Sequence, residues 1–479
     1  MSQEQVDSRR QWKVSDLHSL RVLVVGAGVT GRALQRFCEG HGAHVSLLDD
    51  RVDGALREIP TGVDLALISP GWRPDHPAIQ AIINQRIPVL SEIDFAWEMK
   101  SELAPDQRWL SLSGTNGKTT TIQMVESIFK NSEIKGVACG NVGRTVIESI
   151  SPQYDFLAIE LSSFQIHWSD KVRFESIALL NISPDHIDWH GSFDAYRDAK
   201  LKLISLSKSA FINVSDATLS RAWPTLERDF DAKVIPFHLG SPASGEIGLV
   251  EDLIVDRALV VDAMNAEVLV ELGSLPSRAP HNVSNAMAAA ALAKSIGVPT
   301  EAIASGLQKF AFDHHRLEEV GNFDGVVWID DSKATNPHAA MAALFAYDSV
   351  IWIAGGLAKG ASMEELVRAT SARIRAAILI GTDAPLIRSA LEAVAPNLKI
   401  VDVLPSSESD IEGHSVGEDV MRRAVIFAKN LASRGDTVLL APACASMDQF
   451  VSYAHRGDIF KTAVLEVAGN VNRNESGEG

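Results

Sequence analysis

The segment with the most direct chemistry is Gly114-Thr115-Asn116-Gly117-Lys118-Thr119-Thr120, a glycine turn that closes on a lysine and two hydroxyls. Backbone N–H groups of such a turn curl around phosphate oxygens. The Lys118 ammonium would meet phosphoryl charge, and the Thr119 hydroxyl suits Mg²⁺. The turn is short: two residues separate Gly114 from Gly117, where the common phosphate loop has four. The bland alternative is a polar strand-to-helix turn, and Gly-Lys-Thr at that junction weighs against it.

Other segments offer supporting chemistry. Glu160 ends an apolar run and opens Leu161-Ser162-Ser163-Phe164-Gln165. A glutamate beside a phosphate site is a suitable second ligand for a hard cation. His186, in Ser183-Pro184-Asp185-His186, also follows an apolar run; a lone histidine is more often structural, and only its place at a strand end gives it weight. Gly26-Ala27-Gly28-Val29-Thr30-Gly31 is a GxGxxG turn, with Asp49 following Gly28 by 21 positions. Alone, that spacing is a dinucleotide fingerprint, or a tight strand–helix junction with no ligand. In the last third, Asp331-Ser332-Lys333-Ala334-Thr335-Asn336, Gly355-Gly356-Leu357-Ala358-Lys359-Gly360 and the segment from Ala441 to Phe450 each follow a strand-like run. Three such turns would share one sheet edge, where α/β folds bind ligands; their lysines and hydroxyls suit a dicarboxylate or a phosphate.

The elements that must position these groups read as parallel α/β units: short apolar runs alternating with helical stretches. Strands are expected at Leu20–Val25, Val45–Leu48, Leu65–Ile68, Trp109–Ser113, Phe156–Glu160, Ile177–Asn181, Val326–Ile329, Val350–Ala354, Ala377–Ile380 and Thr437–Ala441. Helices are expected near Thr30–Glu39 and Asn285–Ile296. The stretch Pro405–Asp419, rich in Ser, Glu, Asp and Gly, reads as a surface loop, and Asn470–Gly479 as a disordered tail.

Bulk composition sets the frame. At 479 residues, 46% hydrophobic and 22% charged, the chain is an ordinary globular enzyme of about three domains. A net charge of −17 with no long basic run argues against gripping a nucleic-acid backbone. Cys38, Cys139 and Cys444 lack CxxC spacing, against a disulfide framework or structural zinc. The opening segment lacks the apolar core of a signal peptide, and the run Ala286–Ala293 stops at Lys294, too short for a membrane span. A cytoplasmic enzyme, monomeric and without membrane insertion, is expected.

With the short phosphate loop, Glu160–Gln165 and Asp331–Asn336 in hand, the chain resembles the Mur ligase family from about Val22 to Ile459. Within it, the resemblance is to the branch that adds D-glutamate: the Asp-Tyr-Ala-His stretch usual in branches adding L-alanine or a diamino acid is missing. The resemblance implies an α/β fold of three domains. These are a Rossmann-like domain over 1–108 for a UDP-linked muramoyl substrate, a central P-loop ATPase-like domain over 109–313, and a Rossmann-like domain over 314–479 for D-glutamate. By matching position, Val29, Thr30, Asp49, Asp50, Arg51, Ser69, Pro70, Gly71 and Asn141 would touch the UDP substrate. Gly114 through Thr120, Asn282, Asn285, Arg316, Asp331 and Lys333 would hold ATP. Thr119, Glu160, His186 and Lys200 would hold two Mg²⁺ ions, Lys200 as a carbamate. Thr335, Lys359, Ser446, Met447 and Tyr453 would form the D-glutamate pocket.

The chain departs from the family at Leu357-Ala358, where an acid is frequent, and at Tyr453, where phenylalanine is common. The implied chemistry is phosphoryl transfer from ATP to a carboxylate, then attack of the D-glutamate amine on the acyl phosphate. Lys118, Thr119, Glu160, His186 and Lys200 would be the catalytic set, with closure about a hinge near Phe312–Arg316. Alternatives are a Mur-type ligase adding another amino acid, a nicotinamide-dependent oxidoreductase resting on Gly26–Gly31 and Asp49, and a silent binding partner keeping the fold.

Overall fold

The computed structural model describes residues 11–469, except 51, 53, 142, 261, 263, 264, 313 and 406–414. Three sheets organise it. In the first, β1 (Arg21–Val25), β2 (His44–Leu48), β3 (Leu65–Ile68) and β4 (Val89–Ser91) run parallel in the order β2-β1-β3-β4. Leu65, Ala66, Leu67 and Ile68 are all fully buried; a parallel strand covered on both faces reads as an unbroken apolar run, not an alternation.

The second sheet has nine strands: β5 (Arg108–Ser113), β6 (Gly136–Gly140), β7 (Phe156–Glu160), β8 (Phe174–Leu179), β9 (Ser207–Asn213), β10 (Lys233–Phe237), β11 (Ile247–Val250), β12 (Leu253–Asp256) and β13 (Glu267–Glu271), ordered β13-β12-β11-β10-β9-β8-β5-β7-β6. The pairs β11–β12 and β12–β13 are antiparallel, an edge that the expectation of parallel units did not include. Its alanine-rich helix, Pro280–Ser295, begins earlier than the periodicity predicts because Pro280 occupies the first helical turn, where its missing N–H costs nothing. Every residue from Ala286 to Ala293 is fully buried.

The third sheet contains β14 (Glu318–Phe323), β15 (Val326–Asp330), β16 (Val350–Gly355), β17 (Ile374–Ile380), β18 (Lys399–Asp402) and β19 (Thr437–Leu440), ordered β14-β15-β19-β16-β17-β18. Only β14 runs antiparallel, turned into β15 by Asp324-Gly325, both at positive φ (54° and 78°), the two-residue hairpin turn. Part of the expected loop Pro405–Asp419 is helical: a helix covers Val416–Leu431, while 406–414 lie outside the described residues. Ser415 and Glu418 form a reciprocal capping box, so residues that look loop-like by composition are a helix start. The tail 470–479 also lies outside the described residues.

The chain divides into two compact units. One runs to Ser183 and resumes over Trp189–Ala311, holding the first two sheets; the other holds Pro184–Asp188 and everything from Phe312. Within the first unit, the Asp94 carboxylate accepts the backbone N–H groups of Asp170, Lys171 and Val172 at 2.7–3.0 Å, tying the helix Glu92–Leu103 to the second sheet. Among the described residues no helix is long and apolar enough to cross a membrane. Cys38, Cys139 and Cys444 are free and buried, and burial raises each thiol to about 12, so none is a poised nucleophile.

Candidate active site

The glycine turn leaves β5 and enters the helix Lys118–Lys130. Gly117 caps that helix at φ 82°, and a Cβ there would stand 2.5 Å from Asn285 Oδ1; glycine is required on both counts. The turn is strapped to the chain just past β8. Thr115 N donates to Asn181 O at 2.9 Å and Asn116 N to Asn181 Oδ1 at 2.8 Å. The Thr115 hydroxyl bonds Ser183 O and the Tyr196 hydroxyl. Asn181, expected inside a strand, lies beyond it and braces the turn instead. Lys118 Nζ donates to the carbonyls of Gly114 (2.9 Å) and Thr115 (2.8 Å), which keeps the ammonium over its own loop. Helix N-terminal N–H groups and a lysine converge as an anion site requires.

Around this turn lie three of the four expected metal ligands, Thr119, Glu160 and Lys200. Glu160 ends β7 and is buried. Its Oε1 accepts from Asn141 Nδ2 at 3.3 Å, while Oε2 is buried with no hydrogen-bond partner among the described residues. A buried carboxylate oxygen with no donor is costly unless a cation faces it, so the site fits a hard divalent ion. Thr119 is buried in the first helical turn, and the neighbouring Thr120 Oγ1 also lacks a hydrogen-bond partner among the described residues. Lys200 is 1% exposed, far from the solvated state usual for a helix lysine. Its Nζ donates to Gly114 O at 2.8 Å and Ser113 Oγ at 3.2 Å, and sits 4.9 Å from the centre of the Tyr196 ring. Asn282 and Asn285 lie on the buried start of the helix Pro280–Ser295, with Asn285 against Gly117.

The first sheet presents its carboxyl edge separately. Gly26 has φ 100°, and a Cβ on Gly31 would stand 1.7 Å from Gly26 O, so the turn and helix approach too closely for any other residue. Asp49 is buried, with Oδ2 accepting Ala27 N at 2.9 Å. Its carboxylate therefore braces the glycine turn, a role that the dinucleotide spacing did not predict. Val29, 75% exposed, and Gly71 lie on the surface of this edge; Thr30, Ser69 and Pro70 are half-buried. Asp50 pairs with His76 at 3.5 Å. Arg51 lies outside the described residues.

In the second unit, β15, β19 and β16 are neighbours and parallel, so the three expected turns do meet at one edge. They are stitched together: Ala443 N donates to Ala334 O, Gly355 N to Pro442 O, and Leu357 and Ala445 exchange both backbone bonds at 2.9 Å. Ser446 is buried, Met447 is exposed, and Lys333 Nζ lies 5.3 Å from the centre of the Tyr453 ring. Thr335 is half-buried beside them, while Lys359 is exposed at φ 51°. Burial raises the Asp331 carboxyl to about 7, against the opposing charge of Arg316 and the Leu317 N–H.

His315, which the sequence reading passed over, is buried with Nδ1 2.6 Å from Asp330, and that bond raises its pKa. Glu318 completes the cluster but is paired with Lys461 at 2.7 Å, so it reads as a salt-bridge network. His186, at φ 51° and 3.6 Å from Asp185, belongs to the short segment grouped with this unit. Asn181 and Tyr196 were also missed, since their role comes from pairings far apart in sequence.

Comparison with known proteins matches the chain to two family models, the Mur ligase middle domain over residues 112–293 and the Mur ligase glutamate ligase domain over 315–444. A UDP-N-acetylmuramoylalanine--D-glutamate ligase of Thermobifida fusca is 42% identical, over 95% of this chain and all of that protein. Among solved structures, a pseudomurein peptide ligase type C from Methanothermus fervidus shares the fold at TM-score 0.58 and 17% identity, covering 93% of this chain and all of its own. A MurF ligase from Thermotoga maritima, solved in complex with ADP, does so at TM-score 0.54 and 15% identity, covering 97% of this chain and all of its own.

Proposed function

The chain belongs to the Mur ligase family, and from that premise we infer that it is an ATP-dependent ligase joining D-glutamate to UDP-N-acetylmuramoyl-L-alanine in peptidoglycan synthesis. The observation that carries the reading is the conjunction at one turn of Lys118, buried Lys200 and the unpartnered oxygen of Glu160.

Each part of the chain then has a task. We assign residues 1–108 to the UDP-linked substrate, 109–313 to ATP and 314–479 to D-glutamate. The backbone N–H groups of Gly114–Thr120 cradle the phosphates of ATP, and Lys118 offsets their charge. Thr119, Glu160, His186 and a Lys200 carbamate would hold Mg²⁺, which supplies charge neutralisation to the transferring phosphoryl group. Asn282 and Asn285 face the nucleotide, and Arg316, Asp331 and Lys333 close on it. Val29, Thr30, Asp49, Asp50, Arg51, Ser69–Gly71 and Asn141 orient the UDP substrate so that its terminal carboxylate attacks the γ-phosphorus in line. Alignment is most of what such a transfer asks of the protein. The resulting acyl phosphate is open to the D-glutamate amine, held through its carboxylates by Thr335, Lys359 and Ser446 beside Met447 and Tyr453.

The oxidoreductase reading is set aside: it leaves Gly114–Thr120 unexplained, and Asp49 is occupied with its own glycine turn. The direct test is phosphate release with ATP and UDP-N-acetylmuramoyl-L-alanine across a panel of amino acids. D-glutamate should give the fastest release; faster release with L-alanine or a diamino acid would defeat the assignment.

A further inference from the structure

Arg456 is among the largest fully buried side chains in the molecule, and among the described residues no carboxylate bonds it. It lies one turn into the helix Tyr453–Val467. Its Nε donates to Ser332 Oγ at 2.9 Å and its Nη2 to Ser332 O at 2.9 Å. Both Nη atoms reach Cys444 O, at 3.2 and 3.3 Å, and Nη1 approaches Gly355 O at 3.5 Å. Ser332 Oγ in turn donates to Tyr453 O at 2.7 Å. Apart from the Ser332 hydroxyl, these acceptors are backbone carbonyls of the three turns at the carboxyl edge of β15, β16 and β19. Ser332 flanks Lys333 and Thr335, Gly355 opens the turn that carries Lys359, and Cys444 leads into Ser446.

We propose that Arg456 is a positioning residue for the amino-acid substrate, a buried guanidinium whose fork fixes the three turns of the D-glutamate pocket in register with one another and with Tyr453. The proposal rests on the reading that those turns take D-glutamate. Burying a cation among neutral acceptors is unfavourable, and an apolar side chain would pack such a core more cheaply. A planar guanidinium offers what packing cannot: five donors in fixed directions, enough to bridge separate loops. Burial lowers the guanidinium to about 10, so it stays charged at neutral pH and its bonds remain charge-assisted. A lysine carries the same charge but cannot span the turns, and the pocket hydroxyls and ammonium would lose their mutual spacing.

The test compares Arg456→Lys, Ser332→Ala and Lys359→Ala in the intact enzyme, with KM measured for each substrate and thermal unfolding measured alongside. Losing one or two charge-assisted bonds should raise KM for D-glutamate about tenfold in Arg456→Lys. KM for the UDP substrate should be unchanged, and that for ATP should rise less. Ser332→Ala, which removes only the hydroxyl between Nε and Tyr453, should show the same split, and decides the matter if Arg456→Lys does not fold. Equal changes in all three constants, or lower thermal stability with KM for D-glutamate unchanged, would overturn the proposal. Lys359→Ala separates the two levels. If it leaves KM for D-glutamate unchanged, the pocket assignment fails; if it raises KM while Arg456→Lys and Ser332→Ala do not, the assignment stands and only the positioning role fails.

Discussion

Lys200 Nζ lies 2.8 Å from the carbonyl oxygen of Gly114, inside the protein and at the first residue of the phosphate turn. A buried ammonium beside the metal and phosphate site proposed above would be an awkward neighbour, since it would repel Mg²⁺. The neutral amine can add CO₂, giving a carbamate whose anionic oxygens suit Mg²⁺. Lys200→Ala should therefore lose activity by about a hundredfold or more, the scale of removing one preorganised electrostatic group. Added acetate should restore part of it, and Lys200→Arg should not respond. Rescue of neither variant, together with full wild-type activity in CO₂-depleted buffer, would show that the lysine acts unmodified.

The turn and its lysine were legible in the sequence because phosphate chemistry is local: glycines, a lysine and a hydroxyl at a strand-to-helix junction. Parallel strands such as Leu65–Ile68 were legible for a similar reason, since burial on both faces leaves an unbroken apolar run. What stayed hidden depends on distant partners. Nothing local marks Asp94, yet it holds three amides some eighty residues away. Nothing local marks Arg456 either, until the fold brings Ser332 and Cys444 around it. The helix at Val416 was hidden by composition, its capping box being made of the same residue types as a loop.

Glu92 gives a prediction in pH. It is buried, and its carboxylate takes the N–H of Val146 at 3.0 Å, bonds Ile147 N, and bonds the Gln165 side chain. Desolvation outweighs those bonds and raises its pKa from 4.5 to about 7. Because the folded pKa is the higher one, the folded state holds a proton that the unfolded chain has released. The stability from this group is complete below the unfolded value and is lost as pH rises through about 7. Glu92→Gln should thus flatten the fall in melting temperature between about pH 5 and about pH 8 relative to wild type. Parallel curves for the two proteins would contradict the assignment.

The glycine turn at Gly26 gives a prediction about ligands. A compound that binds only the native state stabilises it by mass action, by about 2.7 kcal/mol at a hundred times its Kd, and so raises the melting temperature. UDP-N-acetylmuramoyl-L-alanine should protect the enzyme in this way, whereas NAD and NADP should not. Protection by a nicotinamide cofactor at modest concentration would restore the oxidoreductase reading.

If ATP activates the substrate carboxylate before the amine attacks, one carboxylate oxygen must end on phosphate. UDP-N-acetylmuramoyl-L-alanine labelled with heavy oxygen in its terminal carboxylate is turned over with ATP and D-glutamate, and the released phosphate is weighed by mass spectrometry. If the carboxylate attacks the γ-phosphorus and the amine then displaces phosphate at carbon, the bridging oxygen leaves with phosphorus. Labelled phosphate should appear in step with amide formation, and both should be lost in Lys118→Ala. Unlabelled phosphate accompanying full amide formation would contradict activation of the carboxylate by ATP.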